Sequence, residues 1–167
     1  MPRSARIVIP GLPHHVTQRG NRRQETFFDA ADYTLYLDLL TRHACALGVG
    51  CWAWCLMPNH VHLVLVPARP EALAALMQRV HQAYTLAVNA REGWTGCLWQ
   101  GRFASYAMDE GHALAAVRYV ELNPVMARLC DSARDWPWSS AAAHLDGRLD
   151  PLLTRPAFLD RIPDWAA

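Results

Sequence analysis

Two histidines separated by one apolar residue mark the segment 57–65, Met-Pro-Asn-His-Val-His-Leu-Val-Leu. Side chains alternate between the faces of a β-strand, so a strand here places His60 and His62 on one face and Val61 and Leu63 on the other. Two imidazoles side by side on a rigid strand can share one metal ion. The alternative is an ordinary polar strand end that binds nothing.

A metal ion on this pair needs a further ligand, and the segment 119–123, Tyr-Val-Glu-Leu-Asn, offers one. Tyr119 and Asn123 are four positions apart and therefore project from one face of a helix. A helix laid across the sheet can bring Asn123 to the ion with Tyr119 beside it, whereas Glu121 points elsewhere and is expected to be solvated. A tyrosine at this spacing is also a common packing residue of amphipathic helices, so the pattern alone leaves both interpretations open.

Cys51 and Cys55 form a rival ligand set, since two thiolates and two imidazoles suit a structural zinc ion. Both are expected on one face of the strand that precedes the histidines. Their spacing along a strand is about 13 Å, which is too far for one ion. Free thiols buried in a core strand are therefore the favoured interpretation.

The hydrophobic pattern predicts the element order β-α-β-β-α-β-α. Asp29 is a suitable N-cap for the first helix, and Gly48 ends it. The last helix is expected to stop before Asn123 and Pro124, because proline disfavours helical geometry in the residue before it. The predicted strands are 13–19, 49–57, 60–66 and 103–108, and the predicted helices are 30–47, 71–90 and 110–122.

This order predicts an α+β fold, a ferredoxin-like sandwich in which helices cover one face of an antiparallel sheet of four to five strands. We expect a single domain over residues 1–167, with a core at about 7–130 and short helices and loops at 131–167. No apolar run reaches the roughly 18 residues of a membrane span. Five cysteines in no disulfide-like pattern favour a reducing cytoplasm.

The charge pattern bears on nucleic-acid binding, which is driven by clustered cations. The formal net charge is only +1, and the chain contains no lysine, so every fixed cation is an arginine. The guanidinium group of arginine binds phosphate oxygens in a bidentate manner and stacks on bases. Clustering in the N-terminal third allows a one-sided basic face despite the small net charge, through Arg3, Arg6, Arg19, Arg22 and Arg23.

Four separated motifs occur in order along the chain: Leu-Met-Pro-Asn-His-Val-His-Leu-Val-Leu, Leu-Trp-Gln-Gly-Arg-Phe, Arg-Tyr-Val-Glu-Leu-Asn-Pro-Val and Trp-Pro-Trp-Ser-Ser. Together they resemble the REP-associated tyrosine transposases, domesticated relatives of the single-strand insertion-sequence transposases in the HUH nuclease superfamily. The resemblance runs from His14 to about Ser140, and the family fold agrees with the predicted sandwich.

The resemblance implies a role for each residue of the candidate site. His60 and His62 would be the histidine pair, Tyr119 the nucleophile and Asn123 the third metal ligand, a position where many relatives carry Gln, Glu or His. The implied activity is a metal-dependent transesterase that nicks and rejoins single-stranded DNA through a 5′-phosphotyrosine intermediate, at hairpin sequences of the REP type. The implied cofactor is magnesium or manganese.

The implied partner is single-stranded or hairpin DNA, handled by a cytoplasmic, nucleoid-associated monomer or homodimer. We expect Arg102 and Arg118 to contact phosphates near the site, and the hairpin or its flanking tetranucleotide to be bound by Arg19, Arg22 and Arg23. Trp94 and Trp99 can stack on a base, although packing in the core is favoured. We assign no role to His14, His15, His81 and His112.

Two other functions fit the same residues. The first is a binding module that grips a DNA hairpin without cleaving it. The second is a metal-dependent phosphodiesterase that uses water, with Tyr119 serving only in packing. The appearance of a covalent protein–DNA adduct separates the transesterase from both.

Overall fold

An antiparallel sheet of four strands, ordered β2-β3-β1-β4, forms the centre of the molecule. The computed structural model describes residues 7–154, so Arg3 and Arg6 and the end of the predicted C-terminal region lie outside the described residues. The strands are β1 (His14–Arg19), β2 (Val49–Met57), β3 (His60–Pro67) and β4 (Ala104–Ala107). The helices are α1 (Ala30–Leu47), α2 (Ala72–Glu92), α3 (Glu110–Met126) and α4 (Ala141–Asp146). This α+β architecture confirms the predicted fold class.

Local sequence signals set the helix ends. The Asp29 side chain accepts a hydrogen bond from the Asp32 backbone N–H and caps α1, which ends at Gly48 in the left-handed conformation with φ 65°. Asp109 caps α3 in the same way by accepting from the backbone N–H of His112. Within residues 7–154, no helix is long and apolar enough to cross a membrane.

The sheet is covered on both faces. One face packs against α1 and α2 in the larger core, where Val16, Leu63 and Leu65 contribute from the sheet. On the other face, Val117 and Val120 of α3 pack in a second core. The sheet side of that second core is made of Ala53, Cys55, Met57 and Val64. The expectation that helices cover only one face is therefore wrong for α3, because β2 and β3 carry apolar residues on both faces and need cover on both.

The helix α3 also runs further than its sequence predicts. Pro124 lies inside it, and the helix ends at Met126 rather than at residue 122. A proline within a helix loses one backbone hydrogen bond and strains the preceding turn. Here Asn123 and Pro124 are both buried, and the helical pattern resumes at once, with the Ala127 N–H donating to the Asn123 carbonyl at 2.9 Å. Tertiary packing thus outweighs the local cost.

Residues after α3 return to the open edge of β2. The Leu56 N–H donates to the Trp138 carbonyl at 2.8 Å, and the Ser140 N–H donates to the Trp54 carbonyl at 2.9 Å. Further along, the Thr154 N–H donates to Cys51 at 2.7 Å. The Trp-Pro-Trp-Ser-Ser motif therefore acts as a short extra edge, which protects backbone groups of β2 from pairing with another chain.

Candidate active site

The histidine pair sits at the start of β3, on the face of the sheet that α3 covers. In the antiparallel register, His60 is opposite Arg19 and His62 is opposite Thr17 of β1. The two imidazole centroids are 4.9 Å apart. His62 is only 7% exposed, whereas His60 is partly exposed. The prediction that both rings share one face is confirmed.

The turn before β3 orients the first ring. Nδ1 of His60 lies 2.6 Å from Oδ1 of Asn59. The amide group of Asn59 is itself fixed, since its Nδ2 donates to the Arg23 carbonyl at 3.0 Å. The oxygen facing His60 can only accept, so Nδ1 of His60 carries the proton and Nε2 keeps its lone pair.

Both rings are neutral at ordinary pH. Burial lowers the pKa of His60 to about 4, and the nearby charge of Arg19 lowers it as well. Burial lowers the pKa of His62 to about 3, with further lowering by His60, His15 and Arg19. Neutral imidazole is the form that binds metal ions, so protonation does not prevent a ligand role for the pair.

The helix α3 carries Tyr119 to the histidines although 57 positions separate Tyr119 from His62 in the sequence. The Tyr119 ring meets His62 edge-on, with centroids 5.6 Å apart. It is 46% exposed, so the phenol is open to solvent and to a large substrate. Tyr119 lies outside the apolar core that Val117 and Val120 of the same helix form.

Asn123 lies one helical turn beyond Tyr119 and is 8% exposed. Its place as a third ligand remains a prediction. Across residues 7–154, no group of three or more His, Cys, Asp or Glu side chains is arranged to hold a metal ion. The structural fit to a cation rests on the two imidazoles and on the polar cleft beside them.

Glu121 is buried, and the expectation that it is solvated is wrong. Its Oε1 accepts a hydrogen bond from the Ser140 hydroxyl at 2.7 Å, and the same oxygen pairs with Nδ1 of His144. The burial of Glu121 could not be predicted from the sequence, because both of its partners come from the segment that folds back over β2 and α3. The pair ties the tyrosine helix to the C-terminal part of the chain.

Cys51 and Cys55 do not share a face of the sheet. A β-bulge between Cys51 and Ala53 interrupts the alternation of β2. As a result, Cys51 joins the core under α1 and α2, while Cys55 joins the core under α3. Burial raises the pKa of both thiols. The rival zinc set is therefore excluded by the geometry of the strand.

A cleft of about 220 Å³ opens beside the histidine pair. Arg19 and Arg102 line it, so the structure brings two of the predicted phosphate-binding residues to the site. The other residues of its lining are Thr17, Gln18, His60, His62, Gln100 and Ala104. A cleft with cationic and hydrogen-bonding walls suits a sugar–phosphate backbone.

The remaining predicted arginines do not line this cleft. Arg22 and Arg23 are exposed in a short turn after β1, and both have left-handed backbones, with φ of 55° and 60°. Such angles are costly for residues other than glycine, and the turn presents the Arg23 carbonyl to Asn59. Arg118 is partly buried on α3, next to Tyr119 in sequence.

His15 belongs to the site although the sequence motifs did not include it. Its Nε2 lies 3.1 Å from Nδ1 of His62, and the two ring centroids are 5.3 Å apart with the planes inclined by 17°. Its ring also meets Tyr119 edge-on at 5.9 Å. Burial lowers the pKa of His15. The available signal was the alternation of His15, Thr17 and Arg19 along β1, but the register against β3 cannot be deduced from sequence.

The other aromatic and histidine candidates are distributed between core and surface. His14 is buried and hydrogen-bonded to the backbone of Leu12 and Ile9. His112 contacts the Asp109 carboxylate at the start of α3. Trp99 packs in the core, as favoured, whereas Trp94 is 45% exposed beside the ring of Phe28.

The model of the IS200-like transposase family matches residues 9–123, which is well over half of the chain. The chain belongs to this family. The membership confirms the resemblance that the four motifs carry, and it makes the protein an IS200-like transposase whose histidine pair and tyrosine lie together on one face of the sheet.

One solved structure resembles this IS200-like transposase in fold. A REP-associated tyrosine transposase bound to a REP hairpin has a TM-score of 0.74 and 20% sequence identity, and the match covers 93% of each chain. A second structure, of a protein from Deinococcus radiodurans R1, aligns with a TM-score of 0.49 and 23% identity, over 72% of this chain and 96% of that one. No curated protein matches the chain in sequence.

Proposed function

We propose that this IS200-like transposase cleaves and rejoins single-stranded DNA at hairpin sequences, with Tyr119 as the nucleophile. One observation supports this above all: an exposed phenol on α3 lies 5.6 Å, ring to ring, from a buried neutral imidazole on β3. Both residues lie outside the two apolar cores. A phenol nucleophile beside a metal-binding imidazole requires this juxtaposition.

His60 and His62 would hold a divalent cation, with Asn123 as the proposed third ligand. Two imidazoles and one amide oxygen tolerate manganese, magnesium, zinc or nickel, and phosphoryl chemistry favours magnesium or manganese. Burial keeps both rings neutral, as ligands must be, and a polar cleft adjoins them. The chemistry that such an ion supplies when bound is polarisation of the phosphoryl oxygens and stabilisation of the charge of the transition state.

The proposed reaction exchanges one phosphodiester for another. Oη of Tyr119 bonds to phosphorus, the bond from phosphorus to the 3′ oxygen breaks, the phenol proton passes to solvent and the departing oxygen takes up a proton. The products are a 5′-phosphotyrosine link and a free 3′-hydroxyl. Because the ester energy is kept in the link, another 3′-hydroxyl can reverse the step without a nucleotide cofactor.

The proposed substrate is a DNA hairpin of the REP type. The REP-associated tyrosine transposase that shares this fold is bound to a REP hairpin. In this chain, Arg19 and Arg102 would contact phosphates in the cleft, Arg118 would contact phosphates beside Tyr119, and the exposed pair Arg22 and Arg23 would contact the hairpin or its flank. Arginine suits this task because it pairs with phosphate oxygens in a bidentate manner.

The test is to incubate the protein with labelled single-stranded hairpin DNA and manganese and then separate it on a denaturing gel. We expect a labelled covalent adduct that is lost in Tyr119→Phe. The matched control is Tyr106→Phe, because Tyr106 is the other exposed tyrosine on this face, opposite His15 in the sheet. That control should form the adduct at the wild-type level.

Other outcomes identify the alternatives. Cleavage without an adduct indicates a phosphodiesterase that uses water. A mobility shift without cleavage, in protein that binds manganese, indicates a binding module. For His60→Ala, we expect cleavage to be abolished while hairpin binding persists; simultaneous loss of binding and of the folded state would show that the histidine pair is structural.

A further inference from the structure

We infer that His15 is a positioning residue that fixes the tautomer and the ring orientation of His62. The inference rests on the proposed function, in which His60 and His62 hold a divalent cation, and it concerns a residue on a different strand. Its chemical content is that His15 accepts a hydrogen bond from His62, and so leaves one nitrogen of His62 available to a ligand.

The contact that carries the inference joins two adjacent strands. Nε2 of His15 lies 3.1 Å from Nδ1 of His62. The two ring planes are inclined to each other by only 17°, as an in-plane hydrogen bond between the rings requires. The register places Thr17 opposite His62 and Val64 opposite His15, so the two histidines are diagonal neighbours on the same face. Diagonal neighbours on a sheet are within reach of long or aromatic side chains.

The proton between these rings decides which nitrogen of His62 can bind a metal. In a neutral pair, one nitrogen donates and the other accepts. If Nδ1 of His62 donates to His15, then Nε2 of His62 keeps its lone pair and can be a ligand. If His15 donates instead, the proton of His62 sits on Nε2, and that nitrogen cannot bind a cation.

The neighbouring ring supports the first arrangement. Asn59 presents an oxygen to Nδ1 of His60, so that ring carries its proton on Nδ1. With His15 accepting from Nδ1 of His62, both rings of the pair are held through Nδ1 and both offer Nε2. Metal-binding histidines in proteins commonly donate the other ring N–H to a nearby acceptor in this way. The edge-on contacts of His15 and His62 with Tyr119 add a packing constraint that resists rotation of both rings.

The first test uses the wild-type protein without metal and without DNA. Histidine is labelled with the heavy nitrogen isotope, and long-range proton–nitrogen correlation spectra report which ring nitrogen carries the proton. The resonances are assigned with His15→Gln and His60→Ala. We expect the proton of His62 on Nδ1. A proton on Nε2 of His62 in the folded protein overturns the inference whatever the variants do.

The second test measures manganese affinity by electron paramagnetic resonance. We expect His15→Phe, which keeps a ring but has no nitrogen, to weaken binding roughly 10- to 100-fold and to shift His62 towards the Nε2 tautomer. His15→Gln, whose side-chain oxygen can still accept from Nδ1, should recover most of the affinity. The matched control is His43→Phe, on α1 beyond the opposite face of the sheet, with unchanged affinity and spectrum.

The outcomes separate this inference from the proposed function. If wild type and His60→Ala bind manganese equally, the proposed metal site fails. If His60→Ala loses binding while folded His15→Phe keeps both the affinity and the tautomer of the wild type, only the role of His15 fails. If His15→Phe and His15→Gln both lose binding as completely as His60→Ala, His15 is itself a ligand and the positioning role is overturned.

Discussion

Oδ1 of Asn59 accepts a hydrogen bond from Nδ1 of His60 at 2.6 Å. The same amide is anchored to the Arg23 carbonyl, so the arginine turn after β1 reaches the candidate ligand through one side chain. Arg22 and Arg23 have left-handed backbones, and strain of this kind persists only where surrounding contacts hold it. Asn59 thus connects the turn with Arg22 and Arg23, which is proposed to contact DNA, to the His60 ring, which is proposed to bind metal.

Replacing Asn59 should therefore weaken the site. We expect Asn59→Ala to lower manganese affinity roughly 10-fold or more, the usual cost of losing such a supporting contact, because His60 loses the acceptor that fixes its tautomer. Asn59→Asp keeps an acceptor for His60 but no donor for Arg23, so it should retain more affinity than the alanine variant. Titration of both folded variants checks this, and equal, wild-type affinity in Asn59→Ala contradicts it.

Gly20 is required by space rather than by its backbone angle. A Cβ at this position would lie 2.4 Å from the Gln24 carbonyl oxygen and 2.7 Å from Cγ2 of Thr26. We expect Gly20→Ala to lower the free energy of unfolding by about 1–3 kcal/mol, as overpacking commonly does. The control is Gly111→Ala in α3, where the nearest atom is at 3.7 Å and alanine favours the helix. Denaturant unfolding measures both, and an unchanged midpoint for Gly20→Ala would refute the steric argument.

The buried carboxylate of Glu121 should stabilise the junction between α3 and the C-terminal segment. Glu121→Ala leaves Ser140 and His144 without their shared acceptor, so we expect a loss of about 1–3 kcal/mol in stability and faster amide exchange in α4. Glu110→Gln, at the exposed start of the same helix, is the matched control and should cost under about 1 kcal/mol. Similar small losses in the two variants would contradict this role for Glu121.

Much of this fold can be predicted from the sequence, because the residues that determine helix ends and strand faces act locally. Asp29, Gly48 and Asp109 determine helix ends through contacts within a few residues, and the alternation of β3 puts His60 and His62 on one face. Such features depend on neighbours along the chain and not on tertiary structure.

The structural features that could not be predicted from the sequence depend on contacts between distant segments. The position of His15 against His62 requires the register of β1 on β3. The burial of Glu121 requires residues 140–144 to fold back. The separation of Cys51 from Cys55 requires a bulge, and the length of α3 past Pro124 requires packing on the second face of the sheet. None of these leaves a local pattern.

Acid should destabilise the protein partly through His81. Its ring stacks on Trp99 at 4.5 Å and its Nε2 lies 3.1 Å from the Tyr36 hydroxyl, and burial lowers its pKa from 6.5 to about 3. Below pH 6.5 the unfolded chain therefore binds a proton at His81 that the folded chain does not bind, so the free energy of unfolding falls as the pH is lowered from 6.5 towards 3. Above pH 6.5 the ring is neutral in both states, and this loss of stability is absent. We expect the free energy of unfolding of His81→Gln to depend less on pH in this window than that of the wild type, by up to about 1.4 kcal/mol per pH unit. Denaturant unfolding at several pH values measures this, and parallel pH profiles for wild type and His81→Gln would contradict the role of His81.

One chain should complete its own site. Val117 and Val120 of α3 pack against β2 and β3 of the same chain, and Glu121 is tied to the segment that pairs with β2, so Tyr119 reaches the histidines of its own sheet. If α3 exchanged between two chains instead, a mixture of Tyr119→Phe and His60→Ala, both expected to be inactive alone, would pair an intact tyrosine with an intact histidine site. We therefore expect this mixture of the two variants, refolded together at high concentration, to form no covalent adduct with hairpin DNA. As the control, a mixture of wild type with either variant should form the adduct in proportion to the wild-type share. Recovery of adduct in the doubly mutant mixture would show that the helix crosses between chains and that the intramolecular packing of α3 is not the arrangement used in catalysis.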